Sequence, residues 1–265
     1  MEIRDWFRPL NPRVRDWHGQ RVWLIGASSG IGADLARALL AGGARVALSA
    51  RTRDRLATVA GRSRGALVLP MDATDPAQWA AGVQQLEAAW RGVDLVIFCA
   101  AQYHPERAWD VRADGVRGML AANLASVYFG LEAVLPAMLE RGAGGVALVA
   151  SVAGYLGLPS ATVYGPTKAA LINLAESLYL DLHPRGIAVT LINPGFVRTA
   201  LTARNTFRMP AMIGPEEAAA YILAGFAAGR FEIDFPWRFT RLLRLFSRLP
   251  YRLRLPLLRS FLGGR

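Results

Sequence analysis

The sequence predicts an α/β fold: a doubly wound parallel sheet with helices on both faces, built as a single domain. Three observations predict it. Short apolar runs alternate with helix-length segments along most of the chain, as successive strand–helix–strand crossovers require. A glycine-rich turn, Gly26-Ala27-Ser28-Ser29-Gly30-Ile31-Gly32, stands between the first apolar run and the first helical one, the setting of a nucleotide-binding crossover. The chain has 265 residues, 53% of them hydrophobic, and α/β folds of this length are often single domains.

Residues 1–20 read as an irregular arm, because Pro9, Pro12 and Gly19 interrupt any long helix. A strand is expected at 21–25, a helix at 33–41 stopped by Gly42 and Gly43, and a second strand at 45–50. The glycines of the intervening turn have separable jobs. One allows the tight turn, one lets the backbone approach a pyrophosphate, and one lets helix and strand pack closely. The helix amino end, with Ser28, Ser29 and Ile31 around it, then offers N–H groups and a positive dipole to phosphate. The spacing is Gly-x-x-x-Gly-x-Gly, not the commoner Gly-x-Gly-x-x-Gly.

Cofactor choice is read at the end of the second strand. NAD binders usually carry an acid about 20 residues past the glycine turn, whereas this chain reads Ser49-Ala50-Arg51-Thr52-Arg53. Arg51 suits the 2′-phosphate of NADP, so NADP (NADPH) is favoured over NAD. The plainer reading is a solvent-exposed arginine in an arginine-rich chain.

The alternation continues with a strand at 66–71 followed by Asp72, a helix at 76–90, a strand at 93–100 and a helix at 116–139. A strand at 146–150 leads to Ser151, a helix covers 164–182, and a strand at 188–193 ends at Pro194-Gly195. A loop at 196–213 is long enough to fold over a ligand, and a helix at 215–228 follows. No internal repeat and no low-complexity linker appears.

Residues 151–168 carry the chemistry. Tyr164 and Lys168 are four residues apart, one turn apart on one helix face. Pro166 is tolerated there, because a proline in the first turn loses no hydrogen bond. An ammonium beside a phenol lowers the phenol's pKa, which suits Tyr164 to exchange protons near neutral pH. Ser151 emerges at a strand's carboxyl end, where ligands sit in open α/β sheets. Of 31 Lys plus Arg, Lys168 is the sole lysine, consistent with a need for a compact ammonium rather than a planar guanidinium. Taken alone, Tyr-x-x-x-Lys could equally be a solvated helix face.

Composition bounds the rest. The one cysteine, Cys99, allows no internal disulfide and fits a reducing, cytoplasmic setting. Charges at Arg4, Asp5, Arg8, Arg13, Arg15 and Asp16 leave no apolar stretch for a signal peptide. No run approaches the roughly 18 apolar residues of a membrane span. His18, His104 and His183 have no ligand-like spacing, so no metal is expected.

The formal charge of +11 is concentrated at one end: residues 238–265 carry eight arginines and no acid, the remainder 23 basic and 20 acidic residues. On a wheel, Arg241, Arg244 and Arg248 fall together opposite Phe239, Leu242, Leu243, Leu245, Phe246 and Leu249, with Arg238 at the edge. Pro250 ends this helix, and an Arg/Leu-rich segment follows with a break at Pro256. The organisation expected is an arm at 1–20, a domain at 21–230, and a basic amphipathic extension at 231–265. A basic amphipathic segment at 238–262 suits peripheral contact with an anionic membrane. Packing within the protein or against a second subunit is the rival reading, and nucleic acid is the weakest.

In this order and on these elements, the motifs resemble the short-chain dehydrogenase/reductase family, in its short single-domain branch, over about residues 20 to 230. They are the Gly26/Gly30/Gly32 turn, Asp72, Asn123, Ser151, Tyr164 with Lys168, and Pro194-Gly195 with Thr199. The resemblance implies a Rossmann-type fold and a division of labour. Tyr164 exchanges a proton with the substrate oxygen and Ser151 holds that oxygen. Lys168 lowers the Tyr164 pKa and holds the nicotinamide ribose, and Asn123 supports a water leading to Lys168. Asp72 contacts adenine; Ala100, Val197 and Thr199 lie along the cofactor. Asn123 and Asp72 also have plain readings, as a buried amide and as a turn cap. One departure is Phe98-Cys99-Ala100-Ala101 where relatives usually carry Asn-Asn-Ala-Gly, which puts local packing in question. The expected activity is NADP-dependent interconversion of a carbonyl and an alcohol on a small, hydrophobic substrate, the last inferred from Tyr155, Leu156, Leu158, Phe196 and the 201–213 loop, in a homo-oligomer. The alternative is a catalytically idle nucleotide-binding protein that acts through its basic tail.

Overall fold

The computed structural model describes residues 8–205 and 209–262; the first residues of the arm, the centre of the 196–213 loop and the last three residues of the tail lie outside them. Seven parallel strands form one sheet in the order β3-β2-β1-β4-β5-β6-β7. They are β1 (Arg21–Ile25), β2 (Arg45–Ser49), β3 (Ala66–Val68), β4 (Leu95–Phe98), β5 (Gly144–Val149), β6 (Ile187–Pro194) and β7 (Glu232–Phe235). The helices between them are α1 (Gly30–Ala41), α2 (Arg53–Ala60), α3 (Pro76–Trp90), α4 (Ala113–Leu120), α5 (Ser126–Arg141), α6 (Tyr164–Leu182) and α7 (Pro215–Ala227).

Strand alternation divides the core in two. From β1, Val22 and Leu24 face α1, α7 and the N-terminal arm, where Leu35, Leu39, Ile222 and Phe226 are buried. Trp23 and Ile25 face the other way, onto Trp79, Leu86, Val127, Leu131 and Leu171 of α3, α5 and α6. This is the period-two alternation of a strand buried on both faces. The arm is irregular but pinned. Asn11 donates to the carbonyls of Val189 and Arg230, at 2.7 and 3.1 Å, and Trp17 packs edge-on to Phe226 at 5.5 Å.

Three expectations need correction. The domain does not stop at residue 230: β7 pairs with β6, Ile192 opposite Ile233. Its four residues alternate polar and apolar as Glu-Ile-Asp-Phe, a short edge pattern easily taken for the start of the tail. The extension forms two helices, α8 (Trp237–Arg248) and α9 (Tyr251–Leu262), and α9 runs through Pro256 without the expected break. Pro256 is exposed, so water can serve the carbonyl that its ring leaves without a partner. Finally, α4 and α5 form one helical rod from Ala113 to Arg141, long and apolar enough by composition to cross a membrane. Met119, Val127, Leu131, Val134 and Met138 along it are buried against the sheet and its neighbours.

Candidate active site

Strand order changes direction between β1 and β4, since β2 and β3 lie to one side and β5 to β7 to the other. A crevice forms at such a switch point, outside the carboxyl ends of the strands. A cleft of about 680 Å³ opens there. Every residue expected to act in catalysis or to bind the cofactor lines it except Asn123, which is buried and bonded to Gln102 of that lining.

The glycine turn forms one end. Gly26 has φ of +89°, and a Cβ there would come within 2.5 Å of the Ala100 nitrogen. On Gly32 a Cβ would stand 2.2 Å from the Gly26 carbonyl oxygen, so both positions demand glycine. The Ser29 side chain does not cap α1, leaving hydrogen-bonding capacity at that helix amino end for an anion. Arg51, Thr52 and Arg55 line the next stretch. Asp72 lies beside them, but its carboxylate accepts from the Thr74 N–H at 2.9 Å and the Thr74 hydroxyl at 2.8 Å. The Thr74 N–H above all, with help from the Arg51 charge, holds it below the usual carboxylate range. Asp72 thus lines the cleft and caps its own turn. The site fits a dinucleotide: glycine backbone for a pyrophosphate, cations beyond it, and apolar strand ends behind.

At the other end, β5 delivers Ser151, which caps the single turn Val152–Gly154 by accepting from the Ala153 N–H at 3.1 Å. Tyr164 is the first residue of α6, with Pro166 in the first turn, where its missing N–H costs nothing. Lys168, one turn on and 1% exposed, donates to the Val149 carbonyl at 2.9 Å; its Nζ is 5.6 Å from the centroid of the Tyr164 ring. The Ser151 side chain acts on the Tyr164 phenol in favour of its ionised form.

The protonation states differ from the expected ones. Burial pushes the Tyr164 phenol up to about 12, against the pull of the Ser151 side chain. Burial also brings the Lys168 ammonium down to about 8. The ammonium faces the Val149 carbonyl and the ring rather than the phenol oxygen, so desolvation outweighs attraction at both groups.

Asn123 sits in a π-helical turn, Ala121–Ala125, between α4 and α5. Its amide accepts from the Gln102 N–H at 2.6 Å and donates to the Gln102 carbonyl at 2.9 Å and to Thr167 at 3.2 Å. It braces the loop after β4 against α6, which is its plain reading.

The departure after β4 resolves as packing. Phe98 stacks obliquely on Trp79 at 5.6 Å, and Gly130 of α5 makes room: a Cβ there would meet the Phe98 ring at 2.3 Å. Burial pushes the Cys99 thiol up to about 11, unlike a nucleophile.

Sequence reasoning missed the 99–112 loop, which shows no periodicity. Tyr103 packs edge-on to Tyr164 at 4.8 Å and donates to Asn205 at 2.7 Å. Arg204 donates to the Tyr103 carbonyl at 3.0 Å and lies 2.8 Å from a His104 ring nitrogen. The loop expected to fold over a ligand therefore meets the β4 loop across the cleft. By contrast, Tyr155, Leu156 and Leu158, read as substrate-facing, pack against Phe239, Leu243, Phe246 and Leu258 of α8 and α9. Among the described residues, no group of three or more His, Cys, Asp or Glu could hold a metal ion.

The model of the short chain dehydrogenase family matches residues 20–209. The chain belongs to that family. An "uncharacterized oxidoreductase" of Myxococcus xanthus is 34% identical over 231 residues, 86% of this chain and 91% of the relative. Another, from Staphylococcus aureus, is 32% identical over 76% of this chain and 87% of its own. Among solved structures, a short-chain dehydrogenase from Sphingobium yanoikuyae in complex with NADPH is 28% identical with a TM-score of 0.75, covering 88% of this chain and 97% of its own. A short chain dehydrogenase/reductase from Burkholderia phymatum in complex with NAD shares the fold, with a TM-score of 0.80 at 23% identity, over 88% of this chain and 94% of its own. The protein is thus an oxidoreductase of a nicotinamide-dependent family with a single-domain Rossmann-type fold.

Proposed function

We propose that this short-chain dehydrogenase is an NADP(H)-dependent enzyme that interconverts a carbonyl and an alcohol on a small, predominantly apolar substrate. The observation that carries the reading is the convergence of Ser151, Tyr164 and Lys168 on one end of a cleft whose other end is a glycine cradle with Arg51. Gly26, Ser28, Ser29, Gly30, Ile31 and Gly32 would hold the pyrophosphate, Arg51 a 2′-phosphate, and Pro194, Gly195, Val197 and Thr199 the nicotinamide end. Bound there, the nicotinamide supplies or accepts a hydride.

The chain's own residues handle the proton. Tyr164, protonated at neutral pH, gives its proton to the substrate oxygen in the reductive direction, while the Ser151 hydroxyl holds that oxygen in place. Lys168, charged below about pH 8, stabilises the phenolate that results. Asn123 keeps the Gln102 backbone and α6 in register, and supports a proton path toward Lys168. Support for an apolar substrate moves from Tyr155, Leu156 and Leu158 to Tyr103 and Leu201, which line the cleft. Exposed Leu120, Tyr128 and Leu139 on α4 and α5 and Leu180 on α6 support a homo-oligomer. A cytoplasmic protein with peripheral membrane contact through 238–262 completes the reading.

NADPH and NADH titrations followed by tryptophan fluorescence, then nucleotide oxidation across a panel of ketones, test it. Tighter NADPH binding is expected, with turnover lost in Tyr164→Phe while NADPH binding stays. Turnover that survives Tyr164→Phe would overturn the assigned acid.

A further inference from the structure

We propose that α8 and α9 form an in-plane anchor that docks the enzyme on an anionic lipid bilayer. It rests on the reading above only for the existence of membrane contact, not for the reaction. What the fold adds is a division of faces. At about 100° per residue, Phe239, Leu243 and Phe246 share the side of α8 turned to the protein, where they pack with Leu258 on Val152 and Leu156. Arg244, grouped by sequence with the outward arginines, turns inward to Glu232 and Tyr155. Its charge is matched there and is not part of the outer face.

The opposite side stays uncovered. Trp237, Leu242 and Leu245 on α8 and Tyr251, Leu253 and Leu255 on α9 are exposed, Leu245 at 62%. Arg238, Arg241, Arg248, Arg252 and Arg259 are exposed among them. Arg238 and Arg241 flank the Trp237 ring at 5.3 and 5.1 Å. On α8, Leu245, Trp237 and the arginines Arg238, Arg241 and Arg248 share this side. They match the acyl boundary, the interface and the phosphates of a bilayer respectively, while α9 adds exposed leucines and arginines beside them.

Charge decides between occupants. Residues 238–265 carry eight arginines and no acid. In a two-fold dimer each patch faces its own copy, which would set the exposed Arg238, Arg241, Arg248, Arg252 and Arg259 against one another. A nucleic acid would answer the arginines but leave the leucines on its hydrated surface. An anionic bilayer answers both.

Cosedimentation of the full chain with phosphatidylcholine vesicles, with and without phosphatidylglycerol, tests the proposal. Binding is expected only with the anionic lipid and should weaken as salt rises. Arg241→Gln with Arg248→Gln should weaken it about 30-fold, and Leu245→Glu with Leu253→Glu should abolish it. Both variants should keep the wild-type melting temperature and tryptophan-monitored NADPH titration. Binding is read without nucleotide or substrate, so a failed ketone assay leaves it standing. Equal sedimentation with and without anionic lipid overturns the proposal. So does a leucine variant that drops to a smaller mass in light scattering, which assigns the face to a second copy, or duplex DNA binding that the leucine variant retains.

Discussion

The Lys168 ammonium donates to the Val149 carbonyl at 2.9 Å and lies 5.6 Å from the centre of the Tyr164 ring. One side chain therefore ties α6, which carries the phenol, to the strand that ends at Ser151. It does so fully buried, and the cost of that burial is written in its protonation.

Burial moves the Lys168 pKa down from 10.5 to about 8. Below pH 8 the amine is charged in folded and unfolded chains alike, and the folded chain bears the whole desolvation cost. Between about 8 and 10.5 the unfolded chain binds more proton, so stability rises with pH across that window. Urea unfolding of wild type and Lys168→Met should show their difference shifting toward wild type there, by at most about 1.4 kcal/mol per pH unit. A difference independent of pH would place the ammonium in water instead.

Most of this fold was legible because parallel strands buried on both faces are uninterrupted apolar runs, and because α3 and α6 begin at helix-compatible prolines or just before one. Tyr164, Lys168, Ser151 and the glycine turn could be read because their spacing is local. What could not be read depends on contacts between distant segments. β7 leaves only a four-residue alternation, and the seating of Leu243 and Leu258 on Val152 and Leu156 leaves no local signal. The Tyr164 phenol was misjudged for the same reason: spacing shows an ammonium nearby but not which carbonyl it faces or how dry the site is. Asn123 was found as a residue, while its bonds to Gln102 and Thr167 appeared only with the fold.

Arg51 is exposed on the rim of the cleft, so replacing it should leave folding unchanged. Arg51→Glu removes a charge-assisted partner for a 2′-phosphate and puts a repulsive one in its place. The ratio of NADPH to NADH affinity should fall about 10- to 100-fold, read by the two fluorescence titrations. An unchanged ratio would leave Arg51 as an ordinary surface arginine.

At the base of the extension, Glu232 accepts hydrogen bonds from Tyr155 at 2.8 Å, Asn193 at 2.7 Å and Arg244. Arg244 also stacks on the Tyr155 ring at 5.0 Å. The pair is partly exposed, which limits its worth to about 1 kcal/mol. Arg244→Gln should lower the melting temperature by about 2–4 °C while leaving vesicle binding intact, because this arginine faces inward. Loss of vesicle binding with an unchanged melting temperature would reverse that assignment.

Phe98 and Gly130 offer a test of the packing that replaces the family's usual polar residues after β4. In a helix interior, alanine is more favourable than glycine by about 1 kcal/mol, so Gly130→Ala in α5 would ordinarily stabilise. Here the added methyl would stand 2.3 Å from the Phe98 ring and 2.7 Å from Trp79, and close-packed aromatic rings have little room to yield. Gly130→Ala alone should therefore destabilise by about 1–3 kcal/mol. Phe98→Ala alone should cost about 3–5 kcal/mol through the cavity left beside Trp79. Combined, the methyl enters space that the ring has vacated, so Gly130→Ala should become neutral or stabilising in the Phe98→Ala background. A double-mutant cycle in urea measures this coupling. Additive costs would mean that the two residues do not compete for one volume, and that the substitution of Phe98 for the family's asparagine is accommodated elsewhere.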